Sequence, residues 1–398
     1  MHFSTTRYGI QKDTQPHKCA FFQKAKVLAR IASVASLNSC NCTADASSVR
    51  VTYQLIKKEL NMKAIGYRQS LPIAVANSLI DVTLPDPTPL GHDLLIQVQA
   101  VSVNPVDTKM RIGVAPAAGE TKILGWDAAG IVRAAGAEVT LFKPGDEVWY
   151  AGSITRPGTN AELHLVDERI VGRKPSSLDF ARAAALPLTS ITAWEMLFDR
   201  MGIARNPRSS GESLLIVGAS GGVGSILTQL ARQLTGVTVI GTASRPETQA
   251  WVRTLGAHHV IDHSKPLSAE LKRIGIPQVS HVISLTQTGS HFPEIVESIA
   301  PQGKFGLIDD PKTLDINPFK RKSISVHWEF MFTRSLFGTA DMIAQHHLLC
   351  EVAQLVEKGI IQTTFAEHFG RINAENLKRA HALIESGKAK GKIVLEGF

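Results

Sequence analysis

Ser213-Leu214-Leu215-Ile216-Val217-Gly218-Ala219-Ser220-Gly221-Gly222-Val223-Gly224 is the stretch on which the reading of this 398-residue chain turns. Its first five residues read as a strand buried on both faces, as in a parallel sheet. The glycines that follow let the backbone turn tightly and approach a ligand, and Ser225 to Leu234 continues as a helix. A helix that starts after such a turn aims free N–H groups and a positive dipole at one spot, which suits a pyrophosphate. A glycine cluster alone is often just a turn. The order strand, glycine turn, helix makes it a dinucleotide-binding signal. Ser220, Gly221, Gly222, Val223 and Gly224 are the candidate phosphate-binding residues.

Downstream, Val237 to Thr242 is the next strand, and it ends in Ala243-Ser244-Arg245. A site for NADH is expected to place an acidic residue here on the ribose 2′-OH. Ser244 and Arg245 offer a hydroxyl and a guanidinium instead, which suit a 2′-phosphate and predict NADPH as coenzyme. The alternative for Arg245 is a solvated residue opening the helix that Pro246 begins. Further strands are expected at 258–261, 281–285 and 304–308. Ligands of such sheets sit beyond the carboxyl ends of the strands, which points to Asp262, Leu285 and Ile308-Asp309. Asp262 and Asp309 read equally well as loop caps. Near the end, Asn373 is a candidate N-cap, Gly387 a helix stop, and Gly391 to Leu395 a last strand.

Upstream, residues from Met62 show short strands with turn punctuation. Leu94 to Val101 alternates in part, and Lys143-Pro144-Gly145-Asp146 leads into the strand-like Glu147 to Tyr150. The fold class is α/β: a Rossmann-type, doubly wound parallel sheet with a second, β-rich domain.

The first 61 residues stand apart. They carry nine Lys and Arg against three acidic residues, so six of the eight net positive charges lie in the leader and two in the remainder. The basic charge that would suggest nucleic acid therefore falls away from the folded part, where no aromatic–basic stripe replaces it. Cys19, Cys40 and Cys42 also lie in the leader, and only Cys350 follows. Cys40-Asn41-Cys42 is a weak metal signal. The leader reads as a disordered tail or as sequence upstream of a start at Met62, with a transit peptide as the alternative. No apolar run reaches the roughly 20 residues needed to span a bilayer. Four cysteines make no disulfide framework, and a cytoplasmic location is expected.

Several ordered stretches together resemble the medium-chain dehydrogenase/reductase superfamily, in its quinone oxidoreductase branch and among the zinc-type alcohol dehydrogenase-like proteins. They are Met62-Lys63-Ala64, Val103-Asn104-Pro105-Val106-Asp107, Gly125-Trp126-Asp127-Ala128-Ala129-Gly130, Lys143 to Val148 and Leu186 to Ala193. The glycine turn, Trp328 to Ser335 and Gly391 to Leu395 complete the set. The resemblance covers Met62 to Phe398. It implies a GroES-like domain from 62–189 and 327–398, a Rossmann NADP-binding domain from 190–326, and a homodimer.

It also implies pocket residues. Asn104 and Thr192 match stretches that line the cleft in relatives, with Asp107 either beside them or holding the loop after Pro105. Thr189 is placed at the nicotinamide or as a helix cap, and Arg334 at a cofactor phosphate or in a salt bridge. Trp126 and Trp328 are apolar walls or core. Zinc-dependent members bind catalytic zinc through Cys, His and a second Cys or Asp. Here Asn104 stands in the first region and Trp126 where the His would be, so no zinc is expected. The implied activity is hydride transfer from NADPH to a quinone or activated α,β-unsaturated carbonyl. The alternatives are reduction of enoyl thioesters or simple aldehydes, or a low-turnover module that binds NADPH or RNA.

Overall fold

The computed structural model describes residues 61–206, 208 and 210–398. The readings made of residues 1–60, including Cys40-Asn41-Cys42, lie outside the described residues. Asn61 already opens the first strand.

Sixteen strands form three sheets among the described residues. The first has the order β2-β1-β4, from β1 (Asn61–Tyr67), β2 (Ile80–Pro85) and β4 (Lys122–Ile123). The second has the order β15-β16-β3-β5-β6-β8, with β7 also on β3. It is built from β3 (Asp93–Val103), β5 (Ala128–Ala135), β6 (Glu147–Tyr150), β7 (Leu163–Asp167), β8 (Val171–Arg173), β15 (Phe365–His368) and β16 (Lys392–Glu396). All its pairings but β15 with β16 are antiparallel. The third is parallel throughout, in the order β11-β10-β9-β12-β13-β14. Its strands are β9 (Ser213–Val217), β10 (Thr238–Thr242), β11 (His259–Ile261), β12 (Val279–Ser284), β13 (Ile299–Leu307) and β14 (Ser325–Trp328).

Ten α-helices accompany them among the described residues: α1 (Pro105–Gly113), α2 (Phe180–Ala184), α3 (Pro187–Trp194), α4 (Gly222–Leu234), α5 (Pro246–Thr254), α6 (Leu267–Arg273), α7 (Thr288–Ser298), α8 (Thr333–Phe337), α9 (Ala344–Glu357) and α10 (Ala374–Glu385). No helix among the described residues is long and apolar enough to cross a membrane.

Strand β9 shows why the apolar run is continuous. Leu214 and Ile216 join the core under α4 and α5, while Leu215 and Val217 join the core of the opposite face, under α6 and α7. Alternate residues point to opposite faces, and both faces are covered by helices. The boundaries expected at 189/190 and 326/327 fall inside α3 and β14. The sheet continues to Trp328 because β14 pairs with β13 through that residue.

Candidate coenzyme and substrate site

At the carboxyl end of β9 the chain turns at Gly218, whose φ is +85°. Gly218 N–H donates to the Thr242 hydroxyl at 3.0 Å, which ties the turn to the end of β10. Helix α4 begins four residues later with Gly221 as N-cap and no capping side chain. Its first N–H groups are therefore left for a ligand. A Cβ on Gly224 would meet Ala219 Cα at 2.6 Å and also overlap Gly218 O, so only glycine lets the helix start this close to the turn. A Cβ on Gly222 would meet Lys392 Cδ at 2.9 Å and Thr189 Cγ2 at 3.2 Å. By contrast, a Cβ on Gly221 would meet only Gly218 O, at 3.6 Å, and would otherwise face open space. The turn is a cradle with one bare side, and it fits a pyrophosphate.

Lys392 beneath this turn is the centre of a buried polar cluster. Its ammonium donates to Val103 O at 3.0 Å, to Asn104 Oδ1, and to Asp127 Oδ2 at 3.1 Å. Asn104 Nδ2 donates to Ser102 O at 3.2 Å and to Asp127 Oδ2 at 3.1 Å. Asp127 Oδ1 accepts from Leu188 N at the start of α3. Asp107 accepts from Asn104 N at 2.6 Å and Gly125 N at 3.0 Å. Burial pushes the Asp107 carboxyl up to about 7, against the pull of the Asn104 N–H and Lys392. Burial also raises Asp127 and lowers Lys392 from their ordinary values, each opposed by the other's charge.

The cluster changes what the expected pocket residues do. Both amide hydrogens of Asn104 are committed inside the protein, because a buried donor is left unpaired only at a cost. Asn104, expected among the residues that line the cleft, ties Lys392, Asp127 and β3 together instead of presenting a free donor. Asp107 holds the Pro105 loop through two main-chain N–H groups, the second of its two readings. Thr189 and Thr192 are buried in α3, and their hydroxyls donate to Leu186 O and Leu188 O at 3.2 and 3.0 Å. Arg334, read at a cofactor phosphate, takes the other reading. Nε, Nη1 and Nη2 donate to Asp341, Glu195 and Asp199 at 3.0, 2.7 and 3.0 Å. With these carboxylates already around it, a phosphate would meet negative charge.

The remaining candidates lie at the carboxyl ends of the strands. Leu285 and Ile308 are half-buried there, their N–H groups bound to Val217 O and Ser284 O. Asp262 accepts from Ser264 N, and Asp309 from Thr288 N at the start of α7, so both act as caps. Arg245 is the N-cap residue of α5, and its guanidinium reaches Lys388 O and Glu247. Trp126 is core: its Nε1 donates to Ser153 O at 3.1 Å, and its ring meets Phe332 edge-on at 6.2 Å. Trp328 is 57% exposed. A groove of about 550 Å³ at Glu212, Ser213, Thr238 and Ser280 opens at the amino ends of the strands, away from the turn.

Sequence reading missed two groups. Glu195 and Glu329 are buried carboxylates that share Arg200, which donates to them at 3.1 and 2.6 Å. Burial and the neighbouring Glu195 push Glu329 up to about 8. His263 contacts the Thr242 hydroxyl at 3.0 Å. Its position two residues past a strand end was the available signal.

Comparison with known proteins agrees with this geometry. Residues 91–176 match the alcohol dehydrogenase GroES-like domain family, and residues 255–395 the zinc-binding dehydrogenase family. A zinc-type alcohol dehydrogenase-like protein of Staphylococcus aureus (strain MSSA476) is 40% identical over 339 residues, 84% of this chain and 99% of its own. A crystal structure from Rhizobium etli CFN 42, of a protein provisionally named a zinc-dependent alcohol dehydrogenase, gives a TM-score of 0.82 at 59% identity. It covers 85% of this chain and 98% of its own. The quinone oxidoreductase of Coxiella burnetii gives 0.69 at 27% identity, over 85% of this chain and 100% of its own.

The parallel sheet, its glycine turn and the GroES-like sheet define an oxidoreductase of the medium-chain dehydrogenase/reductase superfamily. Within it, the chain belongs to the zinc-type alcohol dehydrogenase-like proteins.

Proposed function

We infer that the protein is an NADPH-dependent reductase acting on a quinone or an activated α,β-unsaturated carbonyl, without a metal. The observation that carries this reading is the uncapped start of α4 in its glycine cradle, at the carboxyl end of a parallel sheet. Ser220 to Gly224 hold the pyrophosphate, and Ser244 and Arg245 the 2′-phosphate. Leu285 and Ile308 lie along the coenzyme, with Thr189 at the nicotinamide end. When bound, the coenzyme supplies the hydride.

The protein's share is to orient the substrate, exclude water and meet the negative charge that develops on the substrate oxygen. Thr192 is the donor we assign to that oxygen. Its hydroxyl proton is held only by the Leu188 carbonyl, and exchanging one such bond for another costs about 1 kcal/mol or less. Asn104 and Asp107 keep the β3 end and the α1 start fixed beside it. Zinc does not fit this site. The Asn104 oxygen already faces the Lys392 ammonium, a cation that would repel a metal ion, and buried Trp126 offers no ligand atom.

In the same reading, the GroES-like part comprises 62–189 and 327–398, and the coenzyme part 190–326. The protein is a cytoplasmic homodimer whose partners are small molecules. The Coxiella burnetii relative's quinone activity supports the quinone half of the substrate class. NADPH consumption followed by fluorescence, over a panel of quinones, enals, an enoyl thioester and simple aldehydes, tests the reading. Turnover is expected on quinones or enals. Coenzyme binding without consumption across the panel would sink it and leave a binding module. Stoichiometric, tightly held zinc in purified protein would overturn the metal-free assignment. Ser244→Asp with Arg245→Ala should shift preference toward NADH.

A further inference from the structure

Next to the residues assigned to the 2′-phosphate stands a histidine that the proposed reaction does not use. Strands β10 and β11 run parallel with Thr242 opposite Ile261. Two residues beyond each lie Ser244 and His263, so the two leave the sheet from neighbouring strands at matching positions. The His263 ring is held in place. Nδ1 lies 3.0 Å from the Thr242 hydroxyl, whose oxygen accepts from Gly218 N–H at the glycine turn. The hydroxyl oxygen keeps a second lone pair, so it can give its own hydrogen to a bare Nδ1 or accept from Nδ1–H, and it serves the ring in either charge state. The other ring nitrogen, Nε2, has no hydrogen-bond partner among the described residues.

The groups around the ring keep it neutral while the site is free. Arg245 approaches from the start of α5 and His291 from α7, its ring centroid 5.9 Å away. Asp262, on the ring's own segment, is the one opposing charge, and its carboxylate is bound to Ser264. Asp309 lies on the far side, against His291 and Thr288. Burial first, then His291, hold His263 below the ordinary histidine range. A phosphate dianion reverses that balance, since an opposite charge at close range favours the charged form.

We propose that His263 is the proton-taking element of the 2′-phosphate site, so that NADPH, unlike NADH, binds with uptake of one proton. A solvated proton from the bulk adds to whichever ring nitrogen is bare. In the charged ring Nδ1–H donates to Thr242 Oγ1, the Thr242 O–H bond stays intact and turns away from the ring, and Nε2–H is left for the ligand. Both ring nitrogens become donors, and no other bond changes. The proposal rests on the coenzyme reading above, and makes the choice between the two coenzymes sensitive to pH.

Dissociation constants of the full-length protein for NADPH and NADH, measured by fluorescence titration from pH 6.8 to 8.6, test it. This window lies above the second ionisation of a phosphate ester, at about 6, so the ligand's own charge is nearly constant. The NADPH constant should rise with pH, by up to about tenfold per unit, while that for NADH stays flat. His263→Gln should weaken NADPH several-fold at pH 7, abolish its pH slope, and leave NADH within twofold, which also shows the site intact. An equal slope for both coenzymes, or a slope that survives in His263→Gln, would overturn the proposal alone. Failure to bind either coenzyme would overturn the coenzyme reading as well.

Discussion

At the scale of single residues, the physical problem is how buried charges are kept. Lys392 is only 3% exposed, and its ammonium is offset by Asp127, with Asp107 close behind. Lys392→Met keeps most of the stem but leaves Asp127 without its counter-charge. Removing one partner of a buried pair costs about 3–5 kcal/mol. Thermal denaturation should therefore show a large fall in Tm, and adding Asp127→Asn should recover most of it. Glu329 makes a second prediction. Its carboxyl is raised to about 8, so the folded protein holds a proton that the unfolded chain gives up from about pH 4.5. More protons on the native state means that stability falls as pH rises, here between roughly pH 4.5 and 8. Glu329→Gln should remove that part of the slope. Denaturant midpoints at pH 6 and 8.5 should differ less in the variant than in the parent; an unchanged difference would assign the slope elsewhere. These clusters were not legible in the sequence. Glu195, Glu329 and Arg200 are brought together by the packing of β14 against the helix end, and nothing in their spacing announces it. Asn104 was legible as a position but not as a role. The sequence sets it directly before Pro105 in a recognisable stretch, whereas its hydrogen bonds depend on Lys392, 288 residues away.

At the scale of elements, the glycine turn divides into parts with separable jobs. Gly224 and Gly222 are required by packing, since a Cβ on either would meet main chain or the tethered Lys392 stem. Gly221 has an ordinary φ of −74° and room for a Cβ, so the fold does not require glycine there. If the bare side of the cradle receives a pyrophosphate, Gly221→Ala should leave Tm within a degree or two and weaken NADPH at least tenfold. Gly224→Ala should lower both stability and binding. Equal NADPH affinity in Gly221→Ala and the parent would remove the phosphate from this face. Elements whose signal is local were read well. Strand β9 was expected at 213–217 and found there. The helix after Asn373 is capped by the Asn373 side chain on Asn376 N, and ends near Gly387 at φ +68°. Where the reading fell short, the cause was tertiary. Strand β13 begins at Ile299 rather than Lys304, because β12 starts at Val279 and offers it a partner. The π-helical turn at Glu195–Arg200 follows α3 without a Gly or Pro to mark it. It is held by Arg200 and Arg334, both engaged with Glu195.

At the scale of the whole molecule, the parallel sheet ends in β14, which pairs with β13 on one side and with no strand on the other among the described residues. An open edge offers unpaired N–H and C=O groups to another chain, and proteins usually blunt it with charge, Pro or a cover. Here the edge residues Ser325 to Trp328 carry no Lys or Glu, and Trp328, Phe330 and Phe337 nearby are 57%, 48% and 73% exposed. Large aromatics exposed beside a bare edge fit a self-complementary contact between two copies, in which the same residues face each other across a two-fold axis. The proposed homodimer is assigned to this edge. Sedimentation velocity should give a dimer for the parent chain and a monomer for Trp328→Glu with Phe330→Glu, since each charge would meet its own copy across the axis. The coenzyme turn follows β9, which is separated from β14 by β12 and β13 in the sheet, so NADPH affinity should persist in the monomer. A double variant that remains dimeric would move the interface to another face, and a monomeric parent would remove the homodimer from the proposed function.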